Sequence, residues 1–336
     1  APRPARRPAG PDRAAPRAAS DGASPRAAEL SRRGEPQRSP PRPAASGGSG
    51  PSGPVRHEGG RDAAARRAGA EDVGARKLGV LLSRADRDEL VRLFAERGGE
   101  MDHIHLTNLW HKLGKQLWTD WRCPQRHAWL RANESTLQRL VAQTSGRLAR
   151  CDARALAGVA HGLARCGLQS EEARSLMVDL ADFAEHRIRQ FNAQDLSNTV
   201  WAFEVSRASA PALFEAVAKL VPRRIREFAP QHVANTLCAL ASARAGGPAL
   251  FGPVAKTLSG RLGDFKAQDL ASTARAFALA ECASPVLLSA LARAALQRRR
   301  QEFRPEDLAD MAWAYAALMS GPSFRWRGLD RLEQPR

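Results

Sequence analysis

Five arginines stand at one register of this 336-residue chain: Arg147, Arg187, Arg224, Arg261 and Arg299. Each lies four residues ahead of a leading residue, which is Cys151, Phe191, Phe228, Phe265 or Phe303. Equivalent positions of a stacked array share one edge, so these side chains would form a cation ladder suited to a phosphate backbone. Arg189, Arg223, Arg226, Arg298 and Arg300 thicken it. A second role is open to the same residues. They close helices, where a cation complements the dipole by about 0.3–1 kcal/mol.

Polar pairs form a second periodic set: Gln194/Asn198, Gln231/Asn235, Gln268/Ser272 and Glu306/Asp310. Four residues apart on a helix, the members of a pair share a face. Polar side chains that vary at a fixed repeat position suit base-by-base reading of a single strand. The alternatives are a solvated face or hydrogen bonds between repeats. Trp201 and Trp313 hold equivalent positions and could stack on bases, although the pattern favours packing between units.

Signals of catalysis are absent from the sequence. No GxxxxGK[ST], GxSxG or HExxH occurs, so no enzyme, catalytic residue or cofactor is expected. His103, His105, His111, Cys123 and His127 are the only His/Cys concentration, and their spacing fits no usual zinc pattern, so no metal is expected. His103 and His105 read as surface residues. His111 and His161 fall at the register of Trp201 and read as packing variants.

The elements that position these residues repeat. FNAQDLSNTVWAF from Phe191 returns as FAPQHVANTLCAL from Phe228, FKAQDLASTARAF from Phe265 and FRPEDLADMAWAY from Phe303. The steps of 37, 37 and 38 residues mark a repeat array. With Asn192 as N-cap, Phe191 and Leu196 form a hydrophobic staple, repeated by Phe228/Val233, Phe265/Leu270 and Phe303/Leu308. Pro230 and Pro305 fall at N1, where a missing N–H is harmless. Asp195, Asp269 and Asp307 fall in the first turn, where the dipole favours negative charge. Leu196, Val200 and Phe203 make one apolar stripe. Second helices start at Pro211, Pro248 and Pro285. Neither helix of such a hairpin can bury its stripe alone, but stacked neighbours can, which is the logic of an α-solenoid.

Two degenerate units precede these. Met101-Asp102 act as staple and cap for residues 103–115, with Leu106, Trp110 and Leu113 as stripe. A polar, Trp-bearing loop is expected over 116–133 and a second helix over 134–149. In the next unit Cys151 leads, Leu156, Ala160 and Leu163 carry the stripe, and a second helix runs over 171–189. Ser83 to Asp86 reads as a capping box for an earlier helix stopped by Gly98-Gly99. The stripe leaders are spaced 50, 40, 37, 37 and 38 residues apart, and inter-helix loops absorb the longer steps. No second helix is recognisable after Leu318, which would leave an apolar face for a partner or for further chain to cover.

Net charge +17 and pI near 11.0 point to an anionic partner, nucleic acid before acidic membrane or protein. No apolar run approaches the roughly 20 residues that cross a bilayer, so no membrane association is expected. The five cysteines are scattered, without CxxC, which fits a reducing compartment. Residues 1–77 carry 16 Lys/Arg against 8 Asp/Glu and almost no large apolar residue, and read as a disordered basic tail. Three readings of the tail stand: an organellar presequence remnant, a solvated low-complexity segment, or a basic arm that grips RNA. A start at Ala1 rather than Met reads as processing or a fragment.

The core F-x-[AP]-Q-D-L-[AS]-N-T-x-W-A-[FL], at about 37 residues, resembles the heptatricopeptide and octotricopeptide repeat proteins of organelles. The architecture is also similar to that of FAST kinase-like, RAP-associated proteins and of a repeat subunit of the kinetoplastid RNA-editing substrate-binding complex. The resemblance covers about residues 101–320 and is specific from Phe191 to Phe303. It implies a mitochondrial matrix protein, or alternatively a plastid one. It also implies binding of single-stranded mRNA or rRNA in support of processing, stability, editing or ribosome assembly, with ribonucleoprotein or mitoribosomal proteins as further partners. No RAP module is present in this sequence, so only the repeat positions carry over.

The expectation is thus an all-α, right-handed α-solenoid of about 37-residue hairpins over 78–320, between a tail over 1–77 and a tail over 321–336. The arginine ladder would hold phosphates and the polar pairs would face bases, without catalysis. The alternative is a protein-binding scaffold of armadillo or HEAT type.

Overall fold

The computed structural model describes residues 74–119 and 124–320. Within them the fold is all-α, and no strand occurs among the described residues. The helices are α1 (74–84), α2 (Arg87–Arg97), α3 (His103–Thr119), α4 (Pro124–Ala132), α5 (Glu134–Ser145), α6 (Ala153–Cys166) and α7 (Glu171–Arg187). They continue with α8 (Ala193–Ser206), α9 (Pro211–Arg224), α10 (Pro230–Ser242), α11 (Gly247–Leu258), α12 (Ala267–Leu279), α13 (Pro285–Leu296) and α14 (Pro305–Met319).

They stack as an α-solenoid in two layers. In the first layer α3, α6, α8, α10, α12 and α14 each pack on the next. In the second, α2, α5, α7, α9, α11 and α13 do the same. The paired stripes meet between the layers in one continuous core. The staples close as the spacing predicts: Phe191, Leu196, Phe228, Val233, Phe265 and Leu270 are all buried. Each such side chain contributes about 1.5–3 kcal/mol of transfer free energy. Phe303/Leu308 is the exception, with Leu308 exposed.

Helix starts follow the cap chemistry. The Asn192 side chain accepts from the Asp195 amide at 2.9 Å, and Asp195 accepts from the Asn192 amide at 3.2 Å, a complete capping box. Lys266 and Arg304 have no side-chain acceptor to offer. At those sites only the returning half persists, from Asp269 and Asp307 to the preceding amides. Pro230 and Pro305 open α10 and α14.

The structure revises several sequence expectations. Second helices end early, at Ser145 and Arg187 rather than 149 and 189, because a 3₁₀ turn follows each one. The amides of Cys151, Phe191, Phe228 and Phe265 donate three residues back, to Leu148, Ile188, Ile225 and Leu262. The tighter turn drives those four apolar side chains into the core. The segment expected as a loop over 116–133 holds the end of α3 and the whole of α4. Arg126 of α4 is buried and donates to the Cys166 carbonyl at the end of α6, where a cation suits the helix dipole. Trp129 of α4 donates to Asp88.

Asp86, not Ser83, caps α2, accepting from the Asp88 and Glu89 amides at 3.0 and 2.8 Å. Ser83 instead donates to the Val80 carbonyl inside α1. Among the described residues, 74–77 are already helical, ahead of the boundary expected at 78. There α1 opens the first layer. His105 and Gln116 of α3 bond the Ala75 and Ala85 carbonyls at 2.8 and 3.1 Å, so α1 and α2 form an added hairpin ahead of the first repeat. The tails over 1–73 and 321–336 lie outside the described residues.

First helices also end alike. Gly167, Arg207, Arg244 and Glu281 hold one repeat position, all with left-handed backbones (φ 66, 55, 56 and 53°). The following amides of Ala208, Ala245 and Cys282 return to Phe203, Leu240 and Phe277, closing Schellman turns.

Candidate nucleic-acid interface

The arginine register lies where each second helix passes through its 3₁₀ turn into the next repeat. There the guanidinium reaches back to the preceding repeat. Arg187 donates to the Ala149 carbonyl at 3.1 Å, and Arg224 donates to the Phe191 carbonyl at 2.8 Å. Arg261 donates to both Ile225 and Phe228, at 2.9 and 2.8 Å. These bonds fasten turn to turn along the array. Among the described residues the Arg147 guanidinium bonds within its own unit, at the Gln143 carbonyl.

Counting back from Phe303 selects Arg299, and here the structure corrects the register. Arg298 makes the inter-repeat bond, to the Gly263 carbonyl, while Arg299 is exposed and its amide donates to Glu302. Arg298 lies 37 residues after Arg261, so the extra residue of the 38-residue step falls between Arg298 and Phe303. A further member precedes the five. Arg97, four residues before Met101, holds the same register and pairs with Glu100 at 2.6 Å. The count that finds the other five finds it as well.

A carbonyl acceptor is neutral, so a guanidinium bonded to one keeps its charge and its long-range field. Arg224 is different, because Glu227 pairs with it at 2.7 Å. The same turn edge carries Arg150, Arg189, Arg223, Arg226, Arg299 and Arg300, all exposed.

The polar pairs lie on the first-layer helices, on the side away from the buried stripe. Gln194, Gln231 and Glu306 are exposed, and Asn198, Asn235, Gln268, Ser272 and Asp310 are half-buried. No hydrogen bond among the described residues engages the amides of Gln194, Asn198, Gln231, Asn235 or Gln268. The result is a ladder of open side-chain amides, a pair on each of α8 and α10 and Gln268 alone on α12. Asp310 is pushed above the ordinary carboxylate range by burial, and the Arg275 charge of α12 opposes that shift.

One turn further along the same face, the aromatic residues divide. Trp201 packs between repeats, with its ring 4.9 Å from His161 and edge-on to Trp118 at 5.4 Å. Arg165 lies over Trp118 at 5.9 Å, a contact the repeat pattern does not signal. Trp313 and His111 are exposed. His161 is therefore the packing variant expected. His105 departs from its surface reading as well. It is buried, paired with Asp102 at 2.7 Å and bonded to Ala75, because α1 covers it. Cys238, also at the Trp201 register, donates to the Ser272 carbonyl, and burial pushes its thiol up to about 12. Among the described residues no group of three His, Cys, Asp or Glu side chains could hold a metal ion. Cys123 lies outside the described residues.

No helix of the structure is long and apolar enough to cross a membrane among the described residues. No protein-family model matches the chain, and no curated protein matches it.

Proposed function

We propose that this solenoid is a non-catalytic RNA-binding protein of an organelle, the mitochondrial matrix before the plastid, acting in RNA processing, stability, editing or ribosome assembly. The organelle and the process rest on the resemblance of the repeat core. RNA binding rests on one observation above the rest: a ladder of open amides on successive helices, flanked by a turn edge of exposed arginines. Unengaged amides on a rigid layer suit the edges of unstacked bases. The exposed Arg150, Arg189, Arg226 and Arg300 are the phosphate contacts. The inward-turned Arg187 and Arg261 add field rather than contact.

The test is binding of the full chain to single-stranded RNA from 50 to 200 mM salt. The comparison is a variant with Arg150, Arg189, Arg226 and Arg300 changed to Gln. Each lost phosphate contact should flatten the log–log salt slope by about 0.7. Equal slopes for the two chains overturn the reading. In that case the scaffold alternative, with a protein on the same face, takes its place.

A further inference from the structure

Every first-layer helix from α3 to α12 is covered by its successor, and α14 has no successor among the described residues. The consequence can be read residue by residue. On α12, Ala267, Leu270, Ala271, Ala274 and Ala278 are 2, 0, 1, 0 and 6% exposed. Their equivalents on α14 are Pro305, Leu308, Ala309, Ala312 and Ala316, and all of them are exposed, Leu308 by 46%. Met319 extends the stripe. Its small residues leave room for a helix to approach closely. The shape it calls for is therefore known: another helix of this layer.

The opposite end of the layer offers one. Leu78 and Leu82 of α1, with Ala85 just after it, are buried in the core, while Val80 and Leu81 are 49 and 42% exposed. Charge distinguishes the two ends further. Among its described residues, 74–84, α1 carries Arg76, Lys77 and Arg84 and no acidic residue. From Pro305 to Ser320, α14 carries Glu306, Asp307 and Asp310 and no Lys or Arg. Of these, Asp307 pairs with Arg304 and Asp310 feels Arg275, so Glu306 is the carboxylate most open to a partner. In a chain of net charge +17, this acidic apolar face is ill-suited to RNA or an anionic lipid surface.

We infer that α1 of one copy docks on α14 of another, so that chains join head to tail and the first layer continues across the junction. The contact is heterologous, with different surfaces of the two copies meeting, and such contacts propagate into open chains unless the rotation closes a ring. Apolar burial supplies the attraction, and the α1/α14 charges fix polarity, disfavouring head-to-head and tail-to-tail pairs.

The experiment uses nuclease-treated full chain, free of RNA, so its outcome is independent of RNA binding. Sedimentation and light scattering are followed against protein concentration. Wild type should grow through dimer and trimer as concentration rises. Ala312→Arg blocks the tail, and Val80→Glu with Leu81→Glu blocks the head. Both change exposed positions, and a helical far-UV spectrum with a cooperative melt confirms folding. Each blocked chain alone should stay monomeric. Their equimolar mixture should give a 1:1 dimer and nothing larger, since one good head and one good tail remain. Glu306→Lys should weaken assembly, and Lys77→Glu on the facing copy should restore it.

A wild type that is monomeric at every concentration overturns the proposal and means that another segment or another protein covers α14. Blocked chains that self-associate like wild type, or a mixture that stays monomeric, overturn it as well.

Discussion

Gly114 of α3 and Gly162 of α6 meet backbone to backbone. A Cβ on Gly114 would stand 2.5 Å from the Gly162 carbonyl oxygen, and one on Gly162 would stand 2.5 Å from that of Trp110. No side chain can be accommodated at either place without moving a helix. The closeness of this crossing explains how two units led by Met101 and Cys151, poorer staples than phenylalanine, still pack tightly on each other. Gly162→Ala should therefore destabilise by about 1–3 kcal/mol, the cost of overpacking a filled core. Gly252, inside α11 with nothing within 4 Å of a built Cβ, is the control. There alanine should stabilise by about 0.5–1 kcal/mol through helix propensity. Urea midpoints of the two variants check the opposite signs.

The left-handed helix ends offer a second stability test. Arg207 and Arg244 are exposed and hold φ of 55 and 56°, where a Cβ costs about 1–2 kcal/mol. Glycine relieves that strain but loses more entropy on folding, so Arg207→Gly and Arg244→Gly should each gain about 0.5–1 kcal/mol. Arg207→Ala, which keeps the Cβ, should gain nothing. Thermal midpoints of the three variants decide.

Most of this architecture is legible in the sequence, and the failures have physical causes. The staples are legible because a large apolar residue five positions before another at a helix start is a local geometric requirement. The α-hairpin array follows from their recurrence. The 3₁₀ turns are not legible, because three residues of ordinary helix propensity look alike in either winding, and only the neighbouring repeat decides which side chain turns inward. The shift from Arg299 to Arg298 is hidden for a related reason. An inserted residue shows its presence in the step length but not its place. Helix α4 escapes because its core-facing residue is Arg126, a charge that is buried only because the end of α6 accepts it. His105 looks like a surface residue until α1, itself assigned partly to the tail, is seen to cover it.

Buried aspartates set a pH dependence. Burial pushes Asp195 and Asp269 above the ordinary aspartate range, against the pull of the amides they cap. A carboxyl whose folded value is raised binds its proton more tightly in the folded state. Its contribution is fully present below the unfolded value and is lost as pH rises through the folded one. Acidification across the window between the two should therefore favour wild type relative to Asp269→Asn, which cannot titrate. At pH 7, Asp269→Asn should be close to wild type, since the amide oxygen still accepts from Lys266. The difference in urea midpoint between the two chains, measured at pH 7 and again near pH 4, should move towards wild type. A difference that is flat or moves the other way contradicts the burial argument.

Arg261 and Arg226 separate fastening from RNA contact, because they sit on one turn edge and do different things. Arg261 bridges the Ile225 and Phe228 carbonyls of the preceding repeat, while Arg226 is exposed. Arg261→Ala strips two carbonyls of a charged donor and should cost about 1.5–3 kcal/mol. Arg261→Lys should recover only part of that, since an ammonium is a compact point charge and cannot present the planar fork that spans both oxygens. Arg226→Gln should leave stability within about 0.5 kcal/mol, the usual range for a surface change. On RNA the order reverses. Arg226→Gln should flatten the salt slope by about 0.7, as expected for one lost phosphate contact, and Arg261→Lys should leave the slope unchanged. Urea midpoints and salt titrations on the same preparations provide both readouts. If Arg261→Lys flattens the slope while Arg226→Gln does not, the phosphate track runs along the inner arginines, and the division of roles drawn along this edge is wrong.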